Sequence, residues 1–214
     1  MNTISTAENT YHLQHQIGQG GQGVVFLATT QQAEPVAIKL QHFENLSAER
    51  QYLEEKKLVQ YLQKKKVPIC KIKEMSIVKN KGIIVMKYYE KDLFSLAIEE
   101  QKFSELQVQN IFRNICKGLV KMHKVGVAHL DIKPENFLVN ENTGAVDICD
   151  FGSSLKANEN GEVIVPDPYI RGTKQYMAPE MFHCSEVDGF KCDSFALGVT
   201  LFVLLCRRYP FRDN

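Results

Sequence analysis

Four polar residues lie close together in the middle of the 214-residue chain and could act on one reacting group. Asp131 offers a carboxylate base, and Lys133, two residues later, offers a cation. Asn136 and Asp150 supply oxygen atoms, the ligands that Mg²⁺ prefers. All four fall within twenty residues. Because phosphoryl transfer depends mostly on positioning and on neutralising charge, this set indicates that chemistry.

The residues around these four resemble the catalytic loop and the metal-binding loop of protein kinases. Residues 129–136 are similar to the kinase pattern H-R-D-x-K-x-x-N, and residues 150–152 are the D-F-G that follows it. The resemblance implies that Asp131 accepts the proton of the substrate hydroxyl and that Lys133 steadies the transferred phosphate. The implied Mg²⁺ ligands are Asn136 and Asp150.

A glycine-rich segment near the N-terminus separates two predicted strands, residues 11–18 and 24–29. On its own, G-x-G-x-x-G also occurs in ordinary hairpin turns and in dinucleotide-binding folds, where a helix follows the glycines. Here β-branched and aromatic residues follow, which favours a strand. A strand, a glycine turn and a second strand resemble the kinase segment whose backbone N–H groups cover the phosphates of ATP.

A lysine and a glutamate further along the chain are predicted to pair. Lys39 ends the stretch V-A-I-K, which resembles the kinase strand whose Lys binds the α- and β-phosphates. A helix is predicted from an N-cap at Ser47 to about residue 65, and Glu55 lies at the centre of its apolar face. Since a buried carboxylate is costly unless it is paired, Glu55 is preferred over Glu54 as the partner of Lys39.

The resemblance implies a nucleotide site that also includes the segment joining the two kinase lobes. Met86 corresponds to the residue at the back of the adenine pocket, although it is equally well explained as ordinary core. Asp92 is placed to contact the ribose or a substrate. The residues expected around ATP are Ile17, Gly18, Gln19, Gly20, Gly21, Gln22, Gly23, Val24, Val25, Ala37, Lys39, Glu55, Met86, Tyr88, Asp92 and Leu138.

Two features favour serine and threonine as phosphate acceptors. Lys133 matches the lysine of serine/threonine kinases. Residues 172–180 resemble their G-T-x-x-Y-x-A-P-E, in which the Thr bonds the catalytic Asp and Lys. Thr173 therefore joins Asp131 and Lys133 as an implied catalytic residue, and a role as a phosphorylation site is the alternative.

Leu130 departs from the family pattern. Kinases usually carry Arg at this position, and that Arg often binds a phosphate on the activation segment, here residues 150–180. Leu cannot do so, and we therefore expect activity without phosphorylation of the segment. Its candidate phosphorylation sites are Ser153, Ser154, Tyr169 and Thr173.

The implied fold is α+β and bilobal, with a small antiparallel β-sheet lobe that carries one helix and a mainly helical second lobe. Residues 1–10 are expected to form an N-terminal tail and residues 11–214 the kinase domain. The lobes are expected at residues 11–88 and 89–214. The chain ends before several helices that the resemblance implies, so the second lobe is expected to be truncated and incomplete.

Two helices are predicted in the second lobe. The capping-box sequence S-E-L-Q at residues 104–107 starts a scaffold helix that ends near Gly126. Residues 195–206 are mainly apolar but shorter than the about twenty residues that span a bilayer, so we expect a buried helix. By resemblance, Asp193 just before this run holds the catalytic-loop backbone.

Composition narrows the classes of function. A formal net charge of +1 provides no field for nucleic acid or an anionic membrane, and six Cys without C-x-x-C pairs argue against zinc and a disulfide framework. The N-terminus shows no signal peptide or myristoylation signal. We expect a soluble cytoplasmic protein with ATP and Mg²⁺ as cofactors and protein substrates as partners, and nothing indicates the oligomeric state.

The leading hypothesis is an ATP-dependent protein serine/threonine kinase. A non-catalytic pseudokinase scaffold is the main alternative, suggested by Leu130 and the early end of the chain, and a small-molecule phosphotransferase is weakened by Thr173. Pseudokinases commonly lose at least one key residue. All five are present here: Lys39, Glu55, Asp131, Asn136 and Asp150.

Overall fold

The computed structural model describes residues 3–21, 23–99, 104–140, 144–166, 172–184 and 186–211. The chain divides into two compact units. The first unit comprises residues 1–60 and 70–89, and the second comprises residues 61–69 and 90–214. The expected α+β class is confirmed, because the first unit is a β-sheet with one helix and the second is mainly helical.

The first unit is built on a six-stranded antiparallel sheet in the order β1-β2-β3-β4-β6-β5. Its strands are β1 (Thr3–Ser5), β2 (Thr10–Gly20), β3 (Gly23–Thr29), β4 (Pro35–His42), β5 (Ile72–Val78) and β6 (Lys81–Lys87). Strand β1 lies within the residues expected to be a tail, and it pairs with β2 with Thr3 opposite His12. The first residues of the chain therefore extend the sheet.

A buried carboxylate joins two distant strands of this sheet. The hydroxyl of Tyr11 on β2 donates to Oε2 of Glu74 on β5 at 2.9 Å. Nδ2 of Asn9 donates to the same oxygen at 3.3 Å. Because β2 and β5 are far apart in the strand order, the sheet must curl to bring them together. The apolar core on the same strands comprises Tyr11, Ala28, Val36, Ile38, Ile83 and Val85.

Helix α1 (Leu46–Lys64) packs on the sheet through Tyr52. The Tyr52 hydroxyl donates to the carbonyl oxygens of Ile83 at 2.8 Å and Ser76 at 2.9 Å. A Cβ at Gly82 would lie 2.6 Å from the Tyr52 ring, so this contact requires glycine on β6. The last four residues of α1 group with the second unit.

The predicted N-cap of α1 was wrong by two residues. The side chain of Asn45 accepts the N–H of Ala48 at 3.0 Å, and the helix already begins at Leu46. Asn and Ser are about equally good N-caps, so residue type alone did not distinguish Asn45 from Ser47.

The second unit contains three helices and seven short strands among its described residues. They are β7 (Lys91–Asp92), α2 (Leu93–Glu99), α3 (Glu105–Lys124), β8 (Val127–Ala128), β9 (Phe137–Asn140), β10 (Ala145–Ile148), β11 (Leu155–Lys156), β12 (Ile164–Pro166), β13 (Glu186–Asp188) and α4 (Gly189–Cys206). The strands form three small sheets, β10-β9-β7, β11-β8 and β12-β13. The capping box is confirmed, since Ser104 and Gln107 bond each other's backbone N–H at 3.2 and 2.8 Å.

Helix α4 is the most apolar helix of this unit. It has 18 residues and a mean hydropathy of 1.6, and among the described residues it alone is long and apolar enough to cross a membrane by length and composition. Within the structure 39% of it is buried. Two of its buried residues are polar, Asp193 and Thr200. Asp193 contacts the catalytic loop, as described below, which supports the prediction of a core helix.

Candidate functional site

The candidate residues belong to both units and are described unit by unit. In the second unit, the catalytic loop (residues 129–136) follows β8 and is held by Asp193 of α4. The fully buried Asp193 carboxylate accepts the N–H groups of His129 and Leu130, each at 2.7 Å. Nε2 of His123 on α3 lies 2.8 Å from the same carboxylate. The role expected for Asp193 therefore agrees with the structure.

The three implied catalytic residues of this unit form one hydrogen-bonded network. The Thr173 hydroxyl donates to Oδ1 of Asp131 at 2.9 Å. Nζ of Lys133 donates to the Thr173 hydroxyl at 2.7 Å and lies 3.0 Å from Oδ2 of Asp131. Both oxygens of Asp131 are therefore fixed by side chains that come from the loop and from the far end of the activation segment.

Asn136 extends this network toward the expected metal site. Its Nδ2 donates to the backbone oxygen of Asp131 at 2.7 Å and to Oδ2 of Asp131 at 3.1 Å. These bonds use the nitrogen and leave Oδ1 as the atom suited to a metal ion. The N–H of Cys149 donates to the backbone oxygen of Asn136 at 3.0 Å. Asp150, the second expected ligand, therefore follows directly on a residue bound to Asn136.

This donor set suits Mg²⁺ better than a transition metal. The side chains of Asn136 and Asp150 supply hard oxygen atoms, and Mg²⁺ usually keeps several waters and binds through one or two protein groups plus phosphates. Within the described ranges, no three His, Cys, Asp or Glu side chains cluster in a way that could hold a metal ion.

His129 and Phe151 have structural contacts, as expected. Nε2 of His129 lies 3.0 Å from the backbone oxygen of Cys149, and Nδ1 accepts the N–H of Asp131 at 3.2 Å. The rings of His129 and Phe151 meet edge to face with their centroids 5.5 Å apart. With both ring nitrogens engaged, His129 braces the loop on which Asp131 lies.

Glu135 lies in the same loop without a partner for one of its oxygens. Its Oε2 is buried and has no hydrogen bond among the residues that the structure describes. Burial raises the pKa of the Glu135 carboxyl, and the nearby carboxylates of Asp92 and Asp131 also raise it, while Lys133 lowers it. Protonation of Glu135 is therefore easier than for an exposed glutamate.

Asp92 and Leu138 lie opposite each other where β7 pairs with β9. The Asp92 carboxylate accepts the backbone N–H of Ser95 at 2.8 Å and the Ser95 hydroxyl at 2.9 Å. It therefore caps α2, and any contact with a ribose would have to share this carboxylate.

In the first unit, the strand–glycine turn–strand prediction is confirmed. Strand β2 runs to Gly20 and β3 starts at Gly23, with these two glycines opposite each other. A Cβ at Gly23 would lie 2.2 Å from the backbone oxygen of Leu40, so only glycine fits there. Gly20 and Gly21 have nothing within 4 Å of an added Cβ. Packing in this unit does not explain those two glycines, and the open space would admit a phosphate.

Most of the remaining candidates of this unit lie on adjacent strands of the sheet. Opposite pairs are Gly18 with Val25, Gln19 with Val24, Val25 with Lys39, and Ala37 with Met86. Tyr88 is half-buried after β6, and Ile17 is exposed. Gln22, another predicted nucleotide residue, lies outside the described residues, as does Tyr169.

Lys39 and Glu55 are both buried in the first unit, with 7% and 6% of their surfaces exposed. Glu54 instead is exposed and forms a surface ion pair with Lys57 at 2.7 Å. The structure therefore supports Glu55 over Glu54 as the buried carboxylate of α1, and its pairing with Lys39 stays a prediction.

Sequence reasoning missed two residues that shape the loop. His123 bonds Asp193 from the last turn of α3. Gly172 has a φ of +98°, and a Cβ there would lie 2.4 Å from the backbone oxygen of Leu130. The glycine before Thr173 was a visible signal for such a close approach, whereas nothing local marked His123.

Comparison with known proteins gives one family. The family model described as protein kinase domain matches residues 11–214. The carbon catabolite-derepressing protein kinase of Saccharomyces cerevisiae is 29% identical over 209 residues, covering 95% of this chain and 32% of the relative. CBL-interacting protein kinase 26 of Oryza sativa subsp. japonica is 31% identical, with coverages of 95% and 41%. Serine/threonine-protein kinase SKS1 of S. cerevisiae is 33% identical, with coverages of 68% and 30%. The chain thus spans less than half the length of these relatives.

Proposed function

The chain belongs to the protein kinase domain family, and we propose that it transfers the γ-phosphoryl group of Mg²⁺-bound ATP to serine or threonine hydroxyls of protein substrates. The observation that carries this proposal is the network of Asp131, Lys133, Asn136 and Thr173. A base, a cation and a metal ligand are held together there before any substrate binds.

Asp131 is the proposed acceptor of the substrate proton. Its Oδ1 is bonded to Thr173 and its Oδ2 to Lys133 and Asn136. These contacts keep the carboxylate in one orientation. A carboxylate lone pair can then receive the hydrogen of the substrate hydroxyl while the oxygen of that hydroxyl attacks phosphorus. A positioned general base contributes about 10²–10⁴-fold to a rate.

Lys133 is the proposed counter-charge for the transferred group. Its Nζ is 2.7 Å from the Thr173 hydroxyl and 3.0 Å from Asp131, so the ammonium would lie close to a substrate hydroxyl that approaches Asp131. Asn136 and Asp150 would hold Mg²⁺, which supplies positive charge against the phosphate oxygens when bound. The open space at Gly20 and Gly21 supports a phosphate-covering role for the glycine turn.

Specificity for Ser and Thr is supported by the bond between Lys133 and Thr173, since the family resemblance links both residues to that class. It is also consistent with the name of one relative, serine/threonine-protein kinase SKS1. We further propose protein substrates as partners and the cytoplasm as location, and the net charge of +1 offers no attraction to nucleic acid or anionic membrane.

A nucleotide titration combined with a phosphotransfer assay tests this function. Mg²⁺–ATP should raise the melting temperature of the wild type, and ³²P should appear on serine or threonine peptides and not on matched tyrosine peptides. Asp131→Asn should lower transfer about 10³-fold and keep the thermal shift. Glu54→Gln, which changes an exposed carboxylate, is the matched control.

The outcomes separate the candidate functions. A thermal shift without transfer in the wild type would overturn the kinase proposal and favour an ATP-binding scaffold. Transfer to a small metabolite and to no peptide would favour a small-molecule phosphotransferase.

A further inference from the structure

Leu130 has a strained backbone and a buried side chain. Its φ is +64°, a conformation that branched residues rarely adopt, and only 6% of its surface is exposed. Such strain persists where the surroundings over-determine it. The bond from the Leu130 N–H to Asp193 at 2.7 Å supplies one constraint, and the packing of the side chain supplies another.

The Leu130 side chain belongs to a buried cluster that includes the activation segment. Val163 and Val165 of the segment are in this cluster, with 2% and 4% of their surfaces exposed, and Val187 of β13 is the fourth large apolar member. We call Leu130, Val163, Val165 and Val187 the segment clamp. The clamp joins a residue adjacent to the proposed base to a stretch more than thirty residues away.

Backbone hydrogen bonds hold the segment on both sides of the clamp. Strand β11 pairs with β8, and β12 pairs with β13. The N–H of Gly189 donates to the backbone oxygen of Val163 at 2.7 Å. A Cβ at Gly189 would lie 2.7 Å from a Val163 methyl group, so glycine at the start of α4 permits this side chain to reach the cluster.

The far end of the segment returns to the same residue. Gly172 approaches the backbone oxygen of Leu130 so closely that a Cβ there would lie 2.4 Å from it. The next residue, Thr173, bonds Asp131, the neighbour of Leu130. Leu130 therefore contacts the segment twice. Its side chain packs against Val163 and Val165, and its backbone oxygen lies next to Gly172, the residue before Thr173.

Three of the candidate phosphorylation sites of the segment are described, and each is buried or hydrogen-bonded within the protein. Ser153 is buried, with 3% of its surface exposed. The Ser154 hydroxyl donates to the backbone oxygen of His129 at 3.1 Å. The Thr173 hydroxyl accepts from Lys133 and donates to Asp131. A phosphate on Ser154 or Thr173 would break a contact that orders the loop, and a phosphate on Ser153 would have to displace the residues that bury it.

We propose that Leu130 is a positioning residue that docks the activation segment by apolar packing, so that Thr173 meets Asp131 in the unmodified chain. The effect on catalysis rests on the proposed kinase function, whereas the docking itself does not. Modification of the segment is then unnecessary for the assembled network, because burial of the clamp takes the place of a charged contact.

Hydrogen exchange and kinetics on matched variants test the proposal. Leu130→Ala removes clamp volume, Leu130→Met conserves it, and Leu119→Ala makes the same deletion at a buried position of α3 outside the clamp. Amides of residues 155–165 should exchange about tenfold faster in Leu130→Ala than in Leu119→Ala, with Leu130→Met close to the wild type. The kcat for a serine peptide should fall in Leu130→Ala alone, with the KM for ATP unchanged.

Phosphatase-treated wild type should keep its kcat to within about twofold. Equal exchange in the two alanine variants would overturn the proposal, and so would a phosphatase-treated wild type that is inert until it is phosphorylated. If Leu130→Ala does not fold, Val165→Ala removes volume from the segment side and is judged by the same criteria. Faster segment exchange in Leu130→Ala than in Leu119→Ala, together with a wild type that transfers no phosphate, would support the clamp and overturn the kinase function.

Discussion

Each unit contains a hydroxyl group that donates to a carboxylate at 2.9 Å, and the groups around the two pairs differ. In the first unit Tyr11 donates to Glu74, and in the second Thr173 donates to Asp131. The Glu74 carboxylate lies in a buried sheet, where its other hydrogen-bonding neighbours are hydroxyl and amide groups, among them the amide of Asn9. The Thr173 hydroxyl is itself bonded by a cation, Lys133, which also contacts Asp131.

The distance between hydroxyl and carboxylate therefore does not distinguish a structural pair from a catalytic one. The two kinds of pair are distinguished by the groups that surround the hydroxyl and the carboxylate. Tyr11 and Glu74 connect strands β2 and β5, so losing the contact should cost stability. Asp131 and Thr173 connect the proposed base to a cation and to a proposed metal ligand, so losing their contact should cost rate. The predictions below separate these two consequences.

The largest effect is expected for Asp131→Asn. The kcat should fall about 10³-fold, because an amide cannot accept the substrate proton. The free energy of unfolding should change by only about 1 kcal/mol, since the amide oxygen still accepts the Thr173 hydroxyl and only the contacts of Oδ2 with Lys133 and Asn136 are lost. Initial rates of peptide phosphorylation and urea unfolding measure the two quantities. Glu74→Gln is the matched variant in the other pair, and a similar rate loss there would contradict the distinction.

Thr173→Val should lower kcat about 10–100-fold, because Asp131 and Lys133 lose the hydroxyl that connects them and misplacement of this size is costly. The KM for ATP should stay the same. Thr173→Ser keeps the hydroxyl and should restore most of the rate. If Thr173→Ser is as slow as Thr173→Val, the hydroxyl alone does not account for the role of Thr173.

Tyr11→Phe should leave kcat unchanged and lower the free energy of unfolding by about 1–3 kcal/mol, because Glu74 stays buried without its hydroxyl donor. Urea denaturation of wild type and variant checks this. A variant as stable as the wild type would show that the Tyr11 hydroxyl does not stabilise the sheet.

The same pair predicts the pH dependence of stability. Burial tends to raise the pKa of Glu74, but hydrogen bonds from neighbouring hydroxyl and amide groups outweigh burial and hold it below its ordinary 4.5. The stabilisation that the Glu74 carboxylate provides is therefore complete above pH 4.5 and is lost as the pH falls through the lower pKa of the folded state. Burial first, and then Glu74, raise the pKa of Tyr11 to about 12, so the contribution of Tyr11 is complete below pH 10 and is lost toward pH 12. Glu74→Gln should flatten the acid side and Tyr11→Phe the alkaline side of a stability–pH curve.

The smallest effect is expected for Glu135→Gln, which should raise the free energy of unfolding, whereas Tyr11→Phe should lower it. Because the pKa of Glu135 is raised chiefly by burial, its carboxyl favours the folded state when protonated and opposes it as the pH rises above 4.5. The glutamine variant should be more stable at neutral pH by about 1 kcal/mol, with a smaller loss of stability between pH 4 and 7. Thermal unfolding over that range measures it, and a destabilised variant would mean that the Glu135 charge is compensated.

Features determined by neighbouring residues could be predicted from the sequence. The capping box at Ser104, the strand after the glycine turn and the buried position of Glu55 each depend on a few adjacent residues or on the helical period, and all agree with the structure. The exchange of Ser47 for Asn45 as N-cap shows the limit of that reasoning, because two good capping residues compete within one turn.

Contacts between distant parts of the chain could not be predicted in this way. Tyr11 and Glu74 are 63 residues apart, and His123 and Asp193 are 70 apart. The absence of the usual Arg at position 130 was visible in the sequence, but the valines that surround Leu130 were not, because a cluster built from separate parts of the chain has no local period. Thr3–Ser5 likewise was expected as a tail, since a short polar strand is recognisable only by the partner with which it pairs.

The position of Asp193 in the chain affects the order in which the site can form. Every residue of the proposed phosphotransfer network, from Asp131 to Thr173, precedes Asp193, and the loop backbone is bonded to that carboxylate. During synthesis from the N-terminus, all the reactive side chains are therefore present before the loop can be held in shape. The nascent chain should become competent only when α4 docks, a closure over more than sixty residues that is slow compared with local folding.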